Sequence, residues 1–303
     1  MIVVTGAAGQ TGSEVVRLLS AKGLRVRALV RDPSKAKGIG GPAVEIVTGD
    51  LAKPLSLDPV FRGADKIFLV SSPDLEIATL HGNAIDAAKR AGVRQIVRLS
   101  VYGSSASSPA GLLRAHGEAD DRLSRSGLSF TILRPNAFYQ NTLAFADSIA
   151  SQGTIFAPAR DGAVSMIDCR DVAIAAAAVL TGGTHSGRLY DLTGPRAIGY
   201  AEIAAMIGAA IGSPVTYVDV PPDAAREAMI GMGMPAWLAE ALVELYAVWG
   251  SGKSADVTDA FERIAGKNPR PFEEFAKDYA ASSAGLVPAG GTRFGSRRQT
   301  RYE

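Results

Sequence analysis

Through the first two thirds of the chain, short β-branched runs alternate with longer stretches of helical apolar spacing, the pattern of strand–helix–strand units in a parallel sheet. The runs Ile2 to Thr5, Arg25 to Val30, Val44 to Val47, Lys66 to Val70, Gln95 to Leu99 and Phe130 to Leu133 predict six strands, with Arg188 to Leu192 a seventh. Between them, Gly12 to Lys22 places Val15, Val16, Leu18 and Leu19 on one helical face. Leu75 to Ala91 does the same with Ile77, Leu80, Ala84 and Ala88 before Gly92 stops it. Right-handed crossovers between such strands give a doubly wound sheet.

Near Pro195 the pattern turns helix-rich, with apolar spacing in Ala201 to Ile211, a short strand at Val215 to Val218 and aromatic-bearing helices from Trp237 to Trp249. Pro271 to Ala281 is the last clear element. The expected division is a first domain over 1–194, with part of 136–165 joining the second, and a smaller one over 195–285. A loose tail follows over 286–303, where Arg293, Arg297, Arg298 and Arg301 read as solvated charges.

The 303 residues are 47% hydrophobic, enough for a large core, and 32 Lys plus Arg against 30 Asp plus Glu leave a net charge of +2. So even a balance carries no general case for nucleic acid or an anionic membrane as partner. The single cysteine, Cys169, forms no internal disulfide, and it and the scattered His81, His116 and His185 predict no metal site. Ile2 opens a strand at once, without a basic leader, and the longest apolar run, Val172 to Leu180, falls short of the ~20 residues of a membrane span. A cytoplasmic protein is the expectation.

The chemistry gathers behind the first strand, at Thr5-Gly6-Ala7-Ala8-Gly9-Gln10-Thr11-Gly12. In this GxxGxxG turn Gly6 permits the tight departure from the strand, Gly9 the approach of a diphosphate to bare backbone, and Gly12 close packing of the helix. Exposed amides of Ala8, Gln10 and Thr11 at the positive helix end complete an anion site. That context marks a Rossmann-type doubly wound parallel sheet with a smaller C-terminal α/β subdomain. At the end of the second strand stands Arg31, with Lys35 four residues on, where a cation accommodates a ribose 2′-phosphate. NADP(H) is therefore preferred, and Asp32 keeps NAD(H) open. Gly49-Asp50-Leu51 is placed to border the adenine, and Ser71-Ser72-Pro73 to pass beside the cofactor. Ser100 orients a ribose or substrate oxygen or is a buried, hydrogen-bonded serine.

The chain resembles the NmrA-like group of atypical short-chain dehydrogenases/reductases. The segments TGAAGQTG (5–12), LVRDPSK (29–35), TGDL (48–51), HGEADDRLSRSGLSFTILRPNAFYQN (116–141), IDCRDVAIAAAAVL (167–180), YDLTGP (190–195) and RPFEEFAKDYA (270–280) carry the resemblance. It implies that Pro135, Asn136 and Phe138 flank the nicotinamide and that His116 lies near the usual catalytic tyrosine or lysine. The departure is chemical: no tyrosine here has a lysine four residues on, so the usual acid for alcohol and ketone interconversion is missing. A quinone or similar electron-poor conjugated acceptor, which stabilises its own anion, suits such a site. Its proton comes from solvent, from Tyr102 or from His116, whose segment HGEADDRL reads as the start of a helix. Tyr139, Phe145, Met232 and Trp237 are candidates for binding the acceptor. Asp168 and Asp171 are read as bordering the following helix, with Asp171 stabilising its start. The competing reading is a non-catalytic NADP(H)-binding redox sensor that controls a protein partner.

Overall fold

The computed structural model describes residues 1–36 and 38–283, so the expected tail lies outside the described residues. In chain order the strands are β1 (Ile2–Val4), β2 (Val26–Val30), β3 (Val44–Thr48), β4 (Lys66–Leu69), β5 (Gln95–Leu99), β6 (Ser129–Pro135), β7 (Thr154–Ala157), β8 (Ala163–Val164), β9 (Arg188–Leu192), β10 (Ile198–Gly199) and β11 (Thr216–Asp219). The helices are α1 (Gln10–Ala21), α2 (Leu57–Phe61), α3 (Ile77–Arg90), α4 (Gly111–Ser124), α5 (Ala146–Gln152) and α6 (Cys169–Thr181), then α7 (Tyr200–Ile211), α8 (Pro222–Gly231), α9 (Ala236–Gly250), α10 (Ala260–Ala265) and α11 (Phe272–Ser283).

Two compact units form. The first contains Met1–Phe138, Ser165–Arg196 and Asp256–Arg270; the second contains Tyr139–Val164, Ala197–Ala255 and the described residues from 271 to 283. Besides passing into the second unit near residue 196, the chain enters it over 139–164 and returns to the first over 256–270. The return over 256–270 follows from α10, whose Ala260 and Phe261 are buried in the core of the first unit.

That unit is built on one seven-stranded parallel sheet in the order β3-β2-β1-β4-β5-β6-β9. Successive side chains of a strand point to opposite faces, and both faces are apolar. On one side Val4, Ala28, Phe68, Val97 and Leu133 pack with Val15 and Leu19 of α1 and the small residues Ala173, Ala175 and Ala176 of α6. On the other, Val3, Leu29, Ile67, Ile96 and Ile132 pack with Phe61 of α2, Ala84 and Ala88 of α3 and Leu123 of α4. Helices thus cover both faces of a doubly wound α/β fold of the Rossmann type.

The second unit holds two small sheets, in which β7 runs parallel to β11 and β8 pairs antiparallel with β10. β11 falls on the expected Val215 to Val218 run, whereas β7, whose Thr154, Ile155 and Phe156 carry an equal β-forming signal, is not among the expected strands; the two-residue β8 and β10 leave no period to read.

Polar detail differs from expectation at two helix starts. Asp168 and Asp171 both border the start of α6, as expected, but the capping bond is made by Asp168, whose carboxylate accepts the Arg170 amide at 2.8 Å and the Arg170 guanidinium. Asp171, whose side chain is fully buried, accepts the Arg270 amide at 2.7 Å and pairs with its guanidinium. Burial raises the Asp171 carboxyl above its usual range, and Arg270 opposes that shift. His116 does not open a helix either, because α4 begins at Gly111.

Removing one member of a buried pair strands the other. Arg270→Ala is therefore expected to lower stability by about 3 kcal/mol, the lower end for buried pairs because Arg270 is partly exposed. Urea denaturation measures it. Protonation of the stranded Asp171 relieves the penalty, so the deficit against the parent protein should shrink as pH falls into the carboxylate range.

Candidate functional site

Strand order reverses direction between β1 and β4, and in open α/β sheets ligands bind beyond the carboxyl ends of strands at that point. Here the two loops are clasped together. Thr5 Oγ1 donates to the Val70 carbonyl at 2.6 Å and accepts the Val70 amide at 2.8 Å. Gly6 turns the chain with φ +53°, and a Cβ there would stand 2.8 Å from the Val70 carbonyl oxygen. A Cβ at Gly12 would collide with the Gly6 carbonyl, so the helix packs directly on the turn. Gly9, the N-cap of α1, faces open space instead: a Cβ there would meet only Gly6 O, at 3.3 Å. No side chain caps this first turn and no acidic residue lies in it, which leaves the positive end of α1 bare. Ala8, Gly9 and Gln10 are exposed, while Thr11 and Gly12 are buried.

Arg31 and Lys35 are exposed beyond β2. Asp32 accepts the Ser34 amide at 2.9 Å and the Ser34 hydroxyl at 2.8 Å; these bonds hold its carboxyl below the usual range. Gly49 is buried with its amide on the Val30 carbonyl, Asp50 caps the Ala52 amide, and Leu51 offers its carbonyl to Asn83 Nδ2 at 2.9 Å. Ser71 lies at the end of β4 and donates to the Ser72 carbonyl at 3.1 Å; Ser72 and Pro73 are exposed. After β6, Pro135 and Asn136 are buried, and Asn136 spends its amide on the Ala137 N–H and on Ser165 Oγ. Phe138 is half-buried and bridges to Ile167. Tyr102 donates to the Asp256 carboxylate at 3.4 Å; burial, Asp256 and Asp191 all raise its phenol, which keeps its proton.

Behind this edge lies a buried polar cluster that spacing along the sequence does not announce. Arg98, fully buried on β5, donates through Nε to His81 Nδ1 at 2.8 Å, through Nη1 to Asp120, and through Nη2 to His116 Nδ1 at 3.2 Å. Asp120 also accepts the hydroxyls of Ser100 at 2.7 Å and Ser104 at 2.8 Å. His81 Nε2 stands 3.0 Å from Ser71 Oγ. Ser100 is thus a buried serine whose hydroxyl is bonded to a carboxylate. His116 is also reassigned: burial and the Arg98 charge push its imidazolium well below the usual range, so near neutral pH it has no acidic proton to give. The one signal in the sequence is the charged residue in the β5 stretch Ile96-Val97-Arg98-Leu99, which is otherwise apolar.

In the second unit Tyr139 is 1% exposed and stacks against Phe272 and Phe275, so it is core rather than a ligand contact. Phe145 is half-buried, edge-on to Tyr200. Met232 and Trp237 are exposed, 66% and 38%, around the turn between α8 and α9, with Ile230 beside them in sequence. Cys169 is buried, and burial with the nearby Asp168 raises its thiol to about 12. Among the described residues no group of His, Cys, Asp and Glu is arranged to hold a metal, and no helix is long and apolar enough to cross a membrane.

A family model described as NAD(P)H-binding matches residues 6–182. The chain is 40% identical over 282 residues to the NAD(P)H azoreductase of Xenophilus azovorans, covering 93% of this chain and 99% of that one. Its fold superposes on the NADPH-dependent quinone oxidoreductase of Escherichia coli, solved with NADPH, at a TM-score of 0.84 and 29% identity, covering 92% of this chain and 99% of the other. It also superposes on the triphenylmethane reductase of Citrobacter sp., solved with NADP(H), at 0.81 and 26%, covering 92% and 99%. The turn at Gly6 to Gly12, the strand order that sets it against β4 and these likenesses converge: the chain belongs to the NAD(P)H-binding family, as a member of the NmrA-like group of atypical short-chain dehydrogenases/reductases.

Proposed function

We propose that this protein is an NADPH-dependent reductase that passes hydride to a quinone or a similar electron-poor conjugated small molecule. The observation that carries the reading is the uncapped, acid-free first turn of α1 opening at Gly9, a bare backbone cradle that a Cβ would begin to fill. Its amides would hold the diphosphate. Arg31 and Lys35 would meet the 2′-phosphate, while Asp32, committed to Ser34, is poorly placed to accept a free 2′-hydroxyl. Gly49, Asp50 and Leu51 would border the adenine. Ser71, Ser72 and Pro73, with Pro135, Asn136 and Phe138, are assigned to the nicotinamide half. When bound, the coenzyme supplies a hydride, an electron pair with its proton.

Three facts favour an acceptor that tolerates its own negative charge. No tyrosine has a lysine four residues on, the Tyr102 phenol is raised beside a carboxylate, and burial with the Arg98 charge lowers the His116 imidazolium well below its usual range. Azo compounds and quinones, the substrates in the names of the relatives, are acceptors of this kind. Of the acceptor candidates on the second unit, Met232 and Trp237 keep exposed side chains and Phe145 is half-buried.

The deciding experiment is steady-state oxidation of NADPH by the purified protein on addition of 1,4-benzoquinone. Turnover is expected; coenzyme binding without turnover, together with capture of a regulatory protein, would instead favour the redox sensor. Arg31→Glu should weaken NADPH by about 100-fold, through loss of a charge-assisted contact and added repulsion, while NADH changes little. Equal losses for both coenzymes in calorimetry would show that Arg31 does not read the 2′-phosphate. Gly9→Val should remove measurable affinity for either coenzyme while leaving the circular dichroism spectrum unchanged.

A further inference from the structure

The cluster around Arg98 settles the tautomers of two histidines. A guanidinium only donates, so His81 Nδ1 and His116 Nδ1, its partners at 2.8 and 3.2 Å, must both be bare acceptors. Each ring therefore carries its hydrogen on Nε2. For His81 that hydrogen points at Ser71 Oγ, 3.0 Å away, and the serine passes its own to the Ser72 carbonyl. For His116, Nε2 takes no partner among the described residues. Nor is it an orphan in the core, because among the described residues no buried side-chain nitrogen or oxygen lacks a partner. The ring is half-buried, so its N–H keeps some exposure, and it lies near the carboxyl end of β5 because the Arg98 guanidinium it bonds shares Asp120 with Ser100 and Ser104, which follow that strand.

We propose that His116 is a neutral hydrogen-bond donor, its tautomer set by Arg98, that presents Nε2–H to the oxygen of the hydride acceptor on which negative charge collects. The inference rests on the reductase reading above. Arg98 is then a positioning residue: one buried fork holds two imidazoles and a carboxylate at three corners, and the imidazole of α4 is left facing outward in a single protonation state. His116 keeps its hydrogen throughout. Two electrons arrive with the hydride, the reduced quinone leaves as its monoanion, and water supplies the proton that completes the hydroquinone.

The surroundings explain why the donor does not titrate near neutrality. The groups facing the two rings are Arg98 from β5, Asp120 from α4, each imidazole toward the other, and the hydroxyls of Ser71, Ser100 and Ser104. Arg122, paired with Asp86, lies against Gly82 next to His81. The carboxylate is matched by the guanidinium, so a second positive charge on either ring would sit beside Arg98 without a counter-ion of its own. A donor of this kind works unchanged across the range in which an ordinary histidine acid would lose its proton.

Two measurements test this. Long-range nitrogen–proton NMR of the coenzyme-free protein should show both rings neutral and protonated at Nε2 around neutral pH, with any midpoint below the ordinary histidine value near 6.5. A proton on Nδ1 of His116, or a midpoint near 6.5, overturns the proposal whether or not the enzyme turns over. The second uses two amides. In His116→Gln the side-chain NH2 reaches the place of Nε2, whereas in His116→Asn the carbonyl replaces Nδ1 as acceptor and the outward donor is lost. With NADPH and 1,4-benzoquinone, Asn should lower kcat about 100-fold, the scale for removing one donor from a developing oxyanion, and Gln should restore most of it. The reverse ranking, or a change confined to KM for NADPH, overturns the assignment. An inactive parent protein with the predicted NMR signature instead defeats the reductase reading alone.

Discussion

The clasp between Thr5 and Val70 joins the two strands at which the sheet changes direction, and the candidate site depends on it. The hydroxyl of Thr5 both donates to and accepts from the backbone of Val70, fixing the end of β1 against the end of β4. A turn leaving β1 in that confinement has no room for a side chain at Gly6 and none between turn and helix at Gly12. Geometry set by two hydrogen bonds thus dictates glycine at two positions and leaves the third, Gly9, for a ligand. The positive end of α1 is aimed there with no side-chain cap and no acid in its first turn.

Charge is buried in the first unit only where it is shared. Arg98 and Asp120 sit in the middle of a polar cluster that leaves no buried side-chain donor or acceptor unsatisfied, and Asp171 is met by both the backbone and the side chain of Arg270. Such arrangements add little net stability over well-packed apolar side chains, yet each fixes one arrangement of the elements that contribute to it. Arg98 ties β5 to α3 and α4, and Asp171 ties α6 to the end of the 256–270 return.

The central strands were legible because they are apolar on both faces, so that even three residues, as in β1, announce themselves between turn signals. The phosphate turn was legible because its glycines sit between such a strand and an amphipathic helix. Other features had no local signal. The start of α4 hides behind Ser107-Ser108-Pro109-Ala110, a loop-like stretch without periodicity, which moved the expected helix start to His116. The role of Ser100 depends on Asp120, 20 residues away, and that of Tyr139 on Phe272 and Phe275 far along the chain. Partners brought together by the topology leave no imprint on spacing.

The burial of Cys169 has a chemical consequence for a protein that meets electrophiles. Conjugated carbonyl compounds arylate sulfur through the thiolate, and with the thiol raised to about 12 almost none of that form exists at neutral pH. The sole sulfhydryl of the chain, enclosed at the start of α6, is thereby kept inert toward self-inactivation by reactive compounds of that class.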